Sequence, residues 1–243
     1  MALRFDPGVV AALGRQLGGG RVLVTGTNGK TTASRLLAGM LEAAGRPHLH
    51  NREGSNMVRG FASLLVRRAD LLGRIPGAAD MAGVFETDEA TFPAAVRALD
   101  PDVMVVTNLF RDQLDLVRRS GYRGGALAGG AELPRGAMRC SVLNADDPSV
   151  AALADGWPGR VHWFGIDDPA FAREGTGAAD ARWCACGGDY VYERRYFAHV
   201  GWWRCAACGR SRPATDTTAR AIRLGLEGAS WEMPTARGAP RCG

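Results

Sequence analysis

The residues best suited to chemistry lie in one stretch, Val22-Leu23-Val24-Thr25-Gly26-Thr27-Asn28-Gly29-Lys30-Thr31-Thr32. An apolar run breaks into a glycine-bearing turn, then a lysine and two hydroxyls, then a helix-forming segment. Such a turn aims backbone N–H groups and a helix N-terminus at an anion. Glycine lets the main chain come close to a phosphate, because no Cβ intervenes. The pattern therefore assigns Gly26, Thr27, Asn28, Gly29, Lys30, Thr31 and Thr32 to the phosphates of a nucleotide. Lys30 would reach the terminal phosphates and the Thr31 hydroxyl would hold Mg²⁺. The loop is shorter than the general G-x-x-x-x-G-K-[ST], whose first glycine would fall where Val24 stands. Lys30 is the only lysine among 30 Lys+Arg residues. In an arginine-biased chain, a lone lysine marks a place that needs a compact ammonium rather than a planar guanidinium.

Other chemistry-bearing groups follow strand-like runs. In Val84-Phe85-Glu86-Thr87-Asp88-Glu89, Glu86 still belongs to the strand and is a candidate Mg²⁺ ligand beside the phosphates. Asp88 and Glu89 read instead as helix N-terminal charge, with Thr87 or Asp88 as the cap. Thr107-Asn108-Leu109-Phe110-Arg111-Asp112-Gln113-Leu114-Asp115 and Leu143-Asn144-Ala145-Asp146-Asp147-Pro148 each follow a strand, and singly each is compatible with turn chemistry.

Cys184-Ala185-Cys186 and Cys205-Ala206-Ala207-Cys208 form C-x-C and C-x-x-C, eighteen residues apart. The second half and the separation fit a four-thiolate zinc ribbon, against the alternative of buried free thiols. The first half is one residue short of the usual knuckle, and His199 is a possible substitute ligand. Between the pairs lie Tyr190, Tyr192, Tyr196, Phe197, Trp202 and Trp203 with Arg194, Arg195 and Arg204. Such interleaving serves either stacking on single-stranded nucleic acid or the core of a small metal module; the second is the preferred reading.

The elements that must position these groups alternate. Helical patterns cover 8–17, 30–44 (Leu37, Met40, Leu41 and Ala44 on one face), 57–72 and 89–99. Strand-like runs cover 21–25, 47–50, 82–86, 102–106, 139–143 and 160–164, with shorter pieces at 222–226 and 230–233. Strands that are apolar throughout and alternate with helices predict an α/β fold with a mostly parallel sheet covered on both faces. Ligands bind at the carboxyl ends of such strands. At 243 residues there is ample chain for a core, and the net charge of +5 is scattered, without the block of like charge that marks a nucleic-acid tail. No apolar run has the length of a membrane span and no signal-peptide core is visible, so a cytoplasmic location is expected.

Together the motifs resemble the Mur ligase family of ATP-dependent peptidoglycan ligases. They are carried by Gly26-Thr27-Asn28-Gly29-Lys30-Thr31-Thr32, Asn51-Arg52-Glu53-Gly54-Ser55-Asn56, Phe85-Glu86-Thr87-Asp88-Glu89, the 108–115 motif and the 143–148 motif. Within the family, the cysteine ribbon points to the branch that amidates lipid II. That resemblance implies a central ATP-binding domain over 1–180, a zinc-ribbon insert over 181–212 and a return to the central domain over 213–243. It implies phosphorylation of the α-carboxylate of D-glutamate in the lipid II stem peptide, then displacement of phosphate by ammonia to give D-isoglutamine. The implied partners are a GatD-type glutaminase subunit, as a heterodimer, and lipid II at the inner membrane face, with no nucleic acid. The implied site residues are Lys30 and the loop around it for ATP, Thr31 and Glu86 for Mg²⁺, Asn144 and Asp147 near the adenosine, and Cys184, Cys186, Cys205 and Cys208 for zinc.

Three departures shape the expectations. Residues 116–138 do not continue the family pattern and read as a compensated frameshift. Gln113 stands where other members have a metal-binding histidine, which argues against a second tightly held Mg²⁺. The chain stops before the family's C-terminal domain with its catalytic aspartate, so no catalytic residue is assigned, and weak nucleotide binding without amidation is expected of this polypeptide alone. The alternatives are another Mur-type or folylpolyglutamate-type ligase, and a nucleotide-binding module whose ribbon is an interaction surface.

Overall fold

The computed structural model describes residues 8–51, 57–110, 140–155, 157, 159–173 and 184–234, with the backbone of 122–123 and 126–127. Gln113, residues 52–56 and the rest of the window 116–138 lie outside the described residues. In chain order the first half contains α1 (Val9–Gly14), β1 (Arg21–Thr25), α2 (Lys30–Ala43), β2 (His48–His50), α3 (Val58–Arg68), β3 (Ala82–Glu86), α4 (Phe92–Leu99) and β4 (Val103–Val106). A short hairpin follows, β5 (Tyr122–Arg123) with β6 (Ala126–Leu127). The second half contains β7 (Cys140–Asn144), α5 (Pro148–Ala151), β8 (Arg160–Ile166), β9 (Tyr190–Phe197), β10 (Val200–Cys205), β11 (Thr217–Gly225) and β12 (Gly228–Glu232).

Eight strands form one sheet in the order β12-β11-β8-β7-β4-β1-β3-β2. Every neighbouring pair from β2 to β11 is parallel, and β12 joins as an antiparallel edge. The mostly parallel α/β sheet anticipated from the sequence is thus present. From β1 the chain passes to the edge strand β2, returns inward to β3 beside β1, then crosses to β4 on the other side of β1. That reversal opens a crevice at the carboxyl ends of β1, β3 and β4.

Strand residues alternate between faces. Leu23, Phe85, Met104 and Leu143 enter the main core with Val10 of α1, Phe61 and Leu65 of α3 and Leu99 of α4. Val24 and Val84 are buried too but lie outside that cluster, and α2 packs across β1, β2 and β3. Glu86, two residues after Val84 and in register with Val24, shares their face. Strand parity therefore turns a carboxylate toward α2.

Element ends shift from the sequence expectation for local reasons. The third helix stops at Arg68 because Ala69 is extended, at φ −75° and ψ 145°. The fourth begins at Phe92, not 89, so residues 87–91 form a loop. In α2 the buried positions are Ser34 and Ala38, while Met40 is 64% exposed. The expected stripe through Leu37, Met40, Leu41 and Ala44 is therefore rotated: the helix presents small residues to the sheet and lies close to it. At the opposite end of the sheet, the part-buried Arg21 side chain bonds Asp102 Oδ2 at 3.0 Å and the Leu99 carbonyl at 3.1 Å, joining β1 to the entry of β4.

Burial separates two substitutions of similar chemistry. Leu65→Ala removes a fully buried side chain and is expected to cost about 2–5 kcal/mol of stability. Met40→Ala is expected to change it by less than about 0.5 kcal/mol. Urea unfolding midpoints check both, and the Met40 variant tests the rotated face of α2.

Candidate functional site

The turn after β1 is shaped by two glycines. Gly26 has φ +140°, and a Cβ there would collide with Thr107 Oγ1 and lie 3.1 Å from the Asn108 backbone. Gly29 sits at φ +80° as the N-terminal boundary of α2, and no side chain caps that helix. The amides of its first turn are therefore left to an anion. The loop is clamped from the β4 side. Thr27 N–H donates to the Asn108 carbonyl at 2.9 Å and Asn28 N–H to Asn108 Oδ1 at 2.9 Å. Asn108 Nδ2 and Thr107 Oγ1 both donate to the Asn28 carbonyl, at 3.0 and 2.8 Å. Phe110 N–H donates to Thr27 Oγ1 at 3.0 Å. The 107–110 segment, weak as a motif by itself, is the clamp on the glycine turn.

Glu86 is 3% exposed. Thr31 Oγ1 donates to its Oε1 at 2.7 Å and Ser34 Oγ to its Oε2 at 3.2 Å. Asn51 brackets its backbone: Asn51 Nδ2 donates to the Glu86 carbonyl at 3.0 Å, and Glu86 N–H donates to Asn51 Oδ1 at 2.7 Å. Among the described residues no cation pairs with this buried carboxylate. A buried carboxylate beside an alcohol, at the start of the helix that follows the glycine turn, is a donor set that suits Mg²⁺. The structure thus brings together the two residues read from sequence as metal ligands.

Lys30 Nζ lies 3.2 Å from Asp88 Oδ1. Asp88 is therefore the lysine's counter-charge and does not cap a helix. Glu89, also expected as helix-terminal charge, is 3% exposed and lies in the 87–91 loop. The sequence reading gives Ser34, Asn51, Thr107 and Asp88 no role at the nucleotide site. Ser34 could have been found, since it follows Thr31 by three residues and so shares its helix face.

Asn144 and Asp147 sit at the carboxyl end of β7, one strand beyond the clamp. Asn144 Nδ2 donates to the Thr107 carbonyl at 2.8 Å, and its Oδ1 accepts Asp146 N–H at 2.9 Å. Asp147 is fully buried. Its Oδ1 caps α5 through Ser149 and Val150 N–H, and its Oδ2 accepts Leu109 N–H at 2.8 Å. Both side chains are engaged in holding loops together. Asp146 is buried as well, which pushes its carboxyl up to about 6 against the opposing pull of Arg212, whose Nε lies 2.5 Å away.

The four cysteines form a second cluster, with all sulfur atoms within 4.8 Å of one another. Cys184 Sγ is 3.7 Å from Cys208 Sγ, and Cys186 Sγ is 3.5 Å from Cys205 Sγ. A tetrahedral ion with Zn–S bonds of about 2.3 Å implies S···S edges near 3.8 Å, whereas a disulfide needs about 2.05 Å. The thiols are spaced for a metal. The short C-x-C half works because Gly187, at φ +88°, folds the chain back, and Cys184 N–H bonds the Gly188 carbonyl at 2.8 Å. The N–H of Cys208 donates to Cys205 Sγ and helps to push that thiol down to about 6. His199 does not join the cluster: it is fully buried, with Nε2 3.1 Å from Asp147 Oδ2. Tyr196 and Trp203 are 1% and 2% exposed, and Trp203 Nε1 donates to the Ala145 carbonyl at 3.0 Å. These two aromatics form a joint between ribbon and sheet.

Comparison with known proteins gives a consistent result. The model of the Mur ligase middle domain matches residues 24–182. The chain is 31% identical to the lipid II isoglutaminyl synthase (glutamine-hydrolyzing) subunit MurT of Staphylococcus aureus strain N315, over 87% of this chain and 46% of that protein. It is 30% identical to the same-named subunit of Streptococcus pneumoniae R6, over 89% of this chain and 46% of that one. The chain therefore spans about half the length of these relatives. The fold is shared with the UDP-N-acetylmuramoylalanyl-D-glutamyl-2,6-diaminopimelate--D-alanyl-D-alanyl ligase of Acinetobacter baumannii, at TM-score 0.56 and 16% identity, over 95% of this chain and 39% of that one.

The clamp makes a specific demand at position 26. Gly26→Ala adds a methyl group against Thr107 at a φ that L residues rarely adopt. The expected cost is about 1–3 kcal/mol, read as a lower melting temperature. Gly45→Ala, with φ +65° but open space around it, is expected to cost less.

Proposed function

The chain belongs to the Mur ligase family through its middle domain, and on that premise we propose that it binds Mg²⁺-ATP at the loop 26–32 as the nucleotide-handling part of an ATP-dependent carbon–nitrogen ligase. The observation that carries this reading is the meeting of Thr31 and Glu86 at 2.7 Å beside Lys30 at the start of α2. In the more specific form of the proposal, the acceptor is the α-carboxylate of D-glutamate in the lipid II stem peptide. The nitrogen is ammonia from a GatD-type glutaminase partner, and the product is D-isoglutamine. The names of the MurT relatives, a subunit and glutamine-hydrolyzing, support that form, as does the four-cysteine ribbon. A cytoplasmic location would supply the ATP.

The chemistry is two substitutions. A carboxylate oxygen attacks the γ-phosphorus and ADP leaves, giving an acyl phosphate. Ammonia then attacks the acyl carbon, phosphate leaves, and the nitrogen loses a proton. The first step converts a poor leaving group into a good one. Magnesium supplies neutralising charge for the transferring phosphoryl group.

The chain's own residues bind and orient. The α2 amides and Lys30 hold the phosphates. Thr31 and Glu86 would take the ion, with Ser34 and Asn51 fixing the Glu86 carboxylate and backbone. Asn144 and Asp147 would act on the adenosine side by shaping the β7 loop, since their side chains are already engaged. The four thiols would hold one zinc ion that pins the ribbon.

Lys30→Met is expected to weaken binding of a non-hydrolysable Mg²⁺-ATP analogue by roughly 10–100-fold, the loss of a charged hydrogen bond, measured calorimetrically. Unchanged affinity would refute the nucleotide site. Metal analysis of the purified chain is expected to find about one zinc, most of it lost in Cys208→Ser. Ligation needs thiolates, and the Cys208 N–H bond to Cys205 Sγ favours the thiolate there, so zinc is expected to be held at neutral pH and released on acidification, as read with a chromogenic chelator.

A further inference from the structure

The hairpin of β9 and β10 ends in a turn that carries His199, and this residue does not serve the thiol cluster on the same hairpin. It points the other way, into the sheet. Its Nε2 lies 3.1 Å from Asp147 Oδ2, with both side chains fully buried. Its ring packs edge-on against Phe110 at 4.7 Å between centroids. Both contacts converge on one short piece of backbone. Asp147 Oδ2 accepts Leu109 N–H at 2.8 Å. Phe110 N–H donates to Thr27 Oγ1 at 3.0 Å. One residue earlier, Asn108 holds the Thr27 and Asn28 amides.

We propose that His199 is a positioning residue for the phosphate-binding turn: the cysteine ribbon sets the geometry of the loop 26–32 by pressing His199 onto Asp147 and Phe110, which fix the clamp 108–110. The proposal rests on the nucleotide reading of that loop. It also gives the ribbon a task at the site, beyond that of a clip at the sheet's edge.

The path is continuous and short. The hairpin cannot shift toward or away from the sheet without moving His199, because its neighbours are bonded to the same wall. Gly201 N–H donates to the Asp146 carbonyl at 2.8 Å and Trp203 Nε1 to the Ala145 carbonyl at 3.0 Å. Cys205, at the end of the same strand, is a member of the thiol cluster. A metal on the four thiols therefore anchors one end of a strand whose other end begins at the His199 turn. Coupling of this kind is carried by packed side chains and hydrogen bonds with a defined arrangement. It acts on turn amides whose orientation decides phosphate affinity.

Two variants divide the roles of the imidazole. His199→Phe keeps a ring against Phe110 and removes the nitrogen facing Asp147; His199→Gln keeps a polar donor and removes the ring. Hydrogen exchange of peptides covering 25–31 is followed in the full chain, with zinc content and the protection of β1 and β4 as controls. The expected result for His199→Phe is exchange of the Thr27 and Asn28 amides at least about tenfold faster. Affinity for a non-hydrolysable Mg²⁺-ATP analogue should fall by a similar factor, with zinc retained. His199→Gln should recover a part of both. Chelating zinc from the unsubstituted chain should likewise speed exchange at 25–31 before it affects β1.

The proposal is overturned if His199→Phe retains zinc and sheet protection while exchange at 25–31 stays within twofold of the original. Should both variants fail to fold, unchanged exchange at 25–31 after chelation overturns it equally. Failure of the unsubstituted chain to bind the nucleotide analogue is a separate outcome. It removes the nucleotide reading, and with it the functional meaning of the coupling, while the exchange comparison still reports whether His199 holds the turn.

Discussion

A carboxylate buried at the end of a β-strand sets the terms for the rest of this molecule. Glu86 is 3% exposed, and among the described residues two hydroxyls and no cation face its oxygens. Burying such a charge is costly unless it is paired or ligates a metal. The surrounding structure reads as the means of holding it there. β3 delivers it by parity, α2 lies close enough to offer Thr31 and Ser34, and Asn51, just after β2, fixes its backbone. The small residues on the sheet-facing side of α2 follow from the same constraint. A large side chain at Ser34 or Ala38 would lift the helix and separate Thr31 from Glu86.

The second half of the chain solves a related problem by different means. The β7 end carries adjacent buried acids, Asp146 and Asp147. Asp146 is answered by Arg212 and the Ile166 amide, Asp147 by three backbone amides with the His199 imidazole beside it. Both Arg212 and His199 come from the ribbon side of the chain. The ribbon side therefore supplies polar neighbours to both buried carboxylates, and Trp203 bonds the Ala145 carbonyl of the same loop while Tyr196 and Trp202 bond the Ile166 carbonyl at the end of β8. Isolated from the sheet, a hairpin with so small a core needs a staple. Docked, it completes the wall beneath the clamp.

What could be read from the sequence divides along physical lines. Strand–helix alternation, the glycine turn, Glu86 and the thiol cluster were legible because each depends on spacing within a short segment. Met40 misled because an amphipathic pattern gives a stripe but not its rotation, and close packing selected Ser34 and Ala38. Asp88 misled because N-terminal charge and a counter-charge to Lys30 use the same residue at the same place. His199 stood near the cysteines in sequence, yet the hairpin turn carries it to Asp147. The clamp of Thr107 and Asn108 on Asn28 is not local at all, being set by the adjacency of β1 and β4. Long-range register, not composition, decides such contacts.

The lone lysine gains meaning from the pairing found for it. Asp88 is 45% exposed in its side chain, and Lys30 is 16% exposed. An ion pair open to water on one side is weak and screened. Moving the ammonium from Asp88 to a phosphate therefore costs little, and the flexible lysine stem permits the move. A guanidinium at position 30 would form a planar, two-pronged bond with the same carboxylate and be harder to release. In a chain that otherwise uses arginine for every cation, selection of lysine here follows from the need for a charge that is held in place yet free to leave.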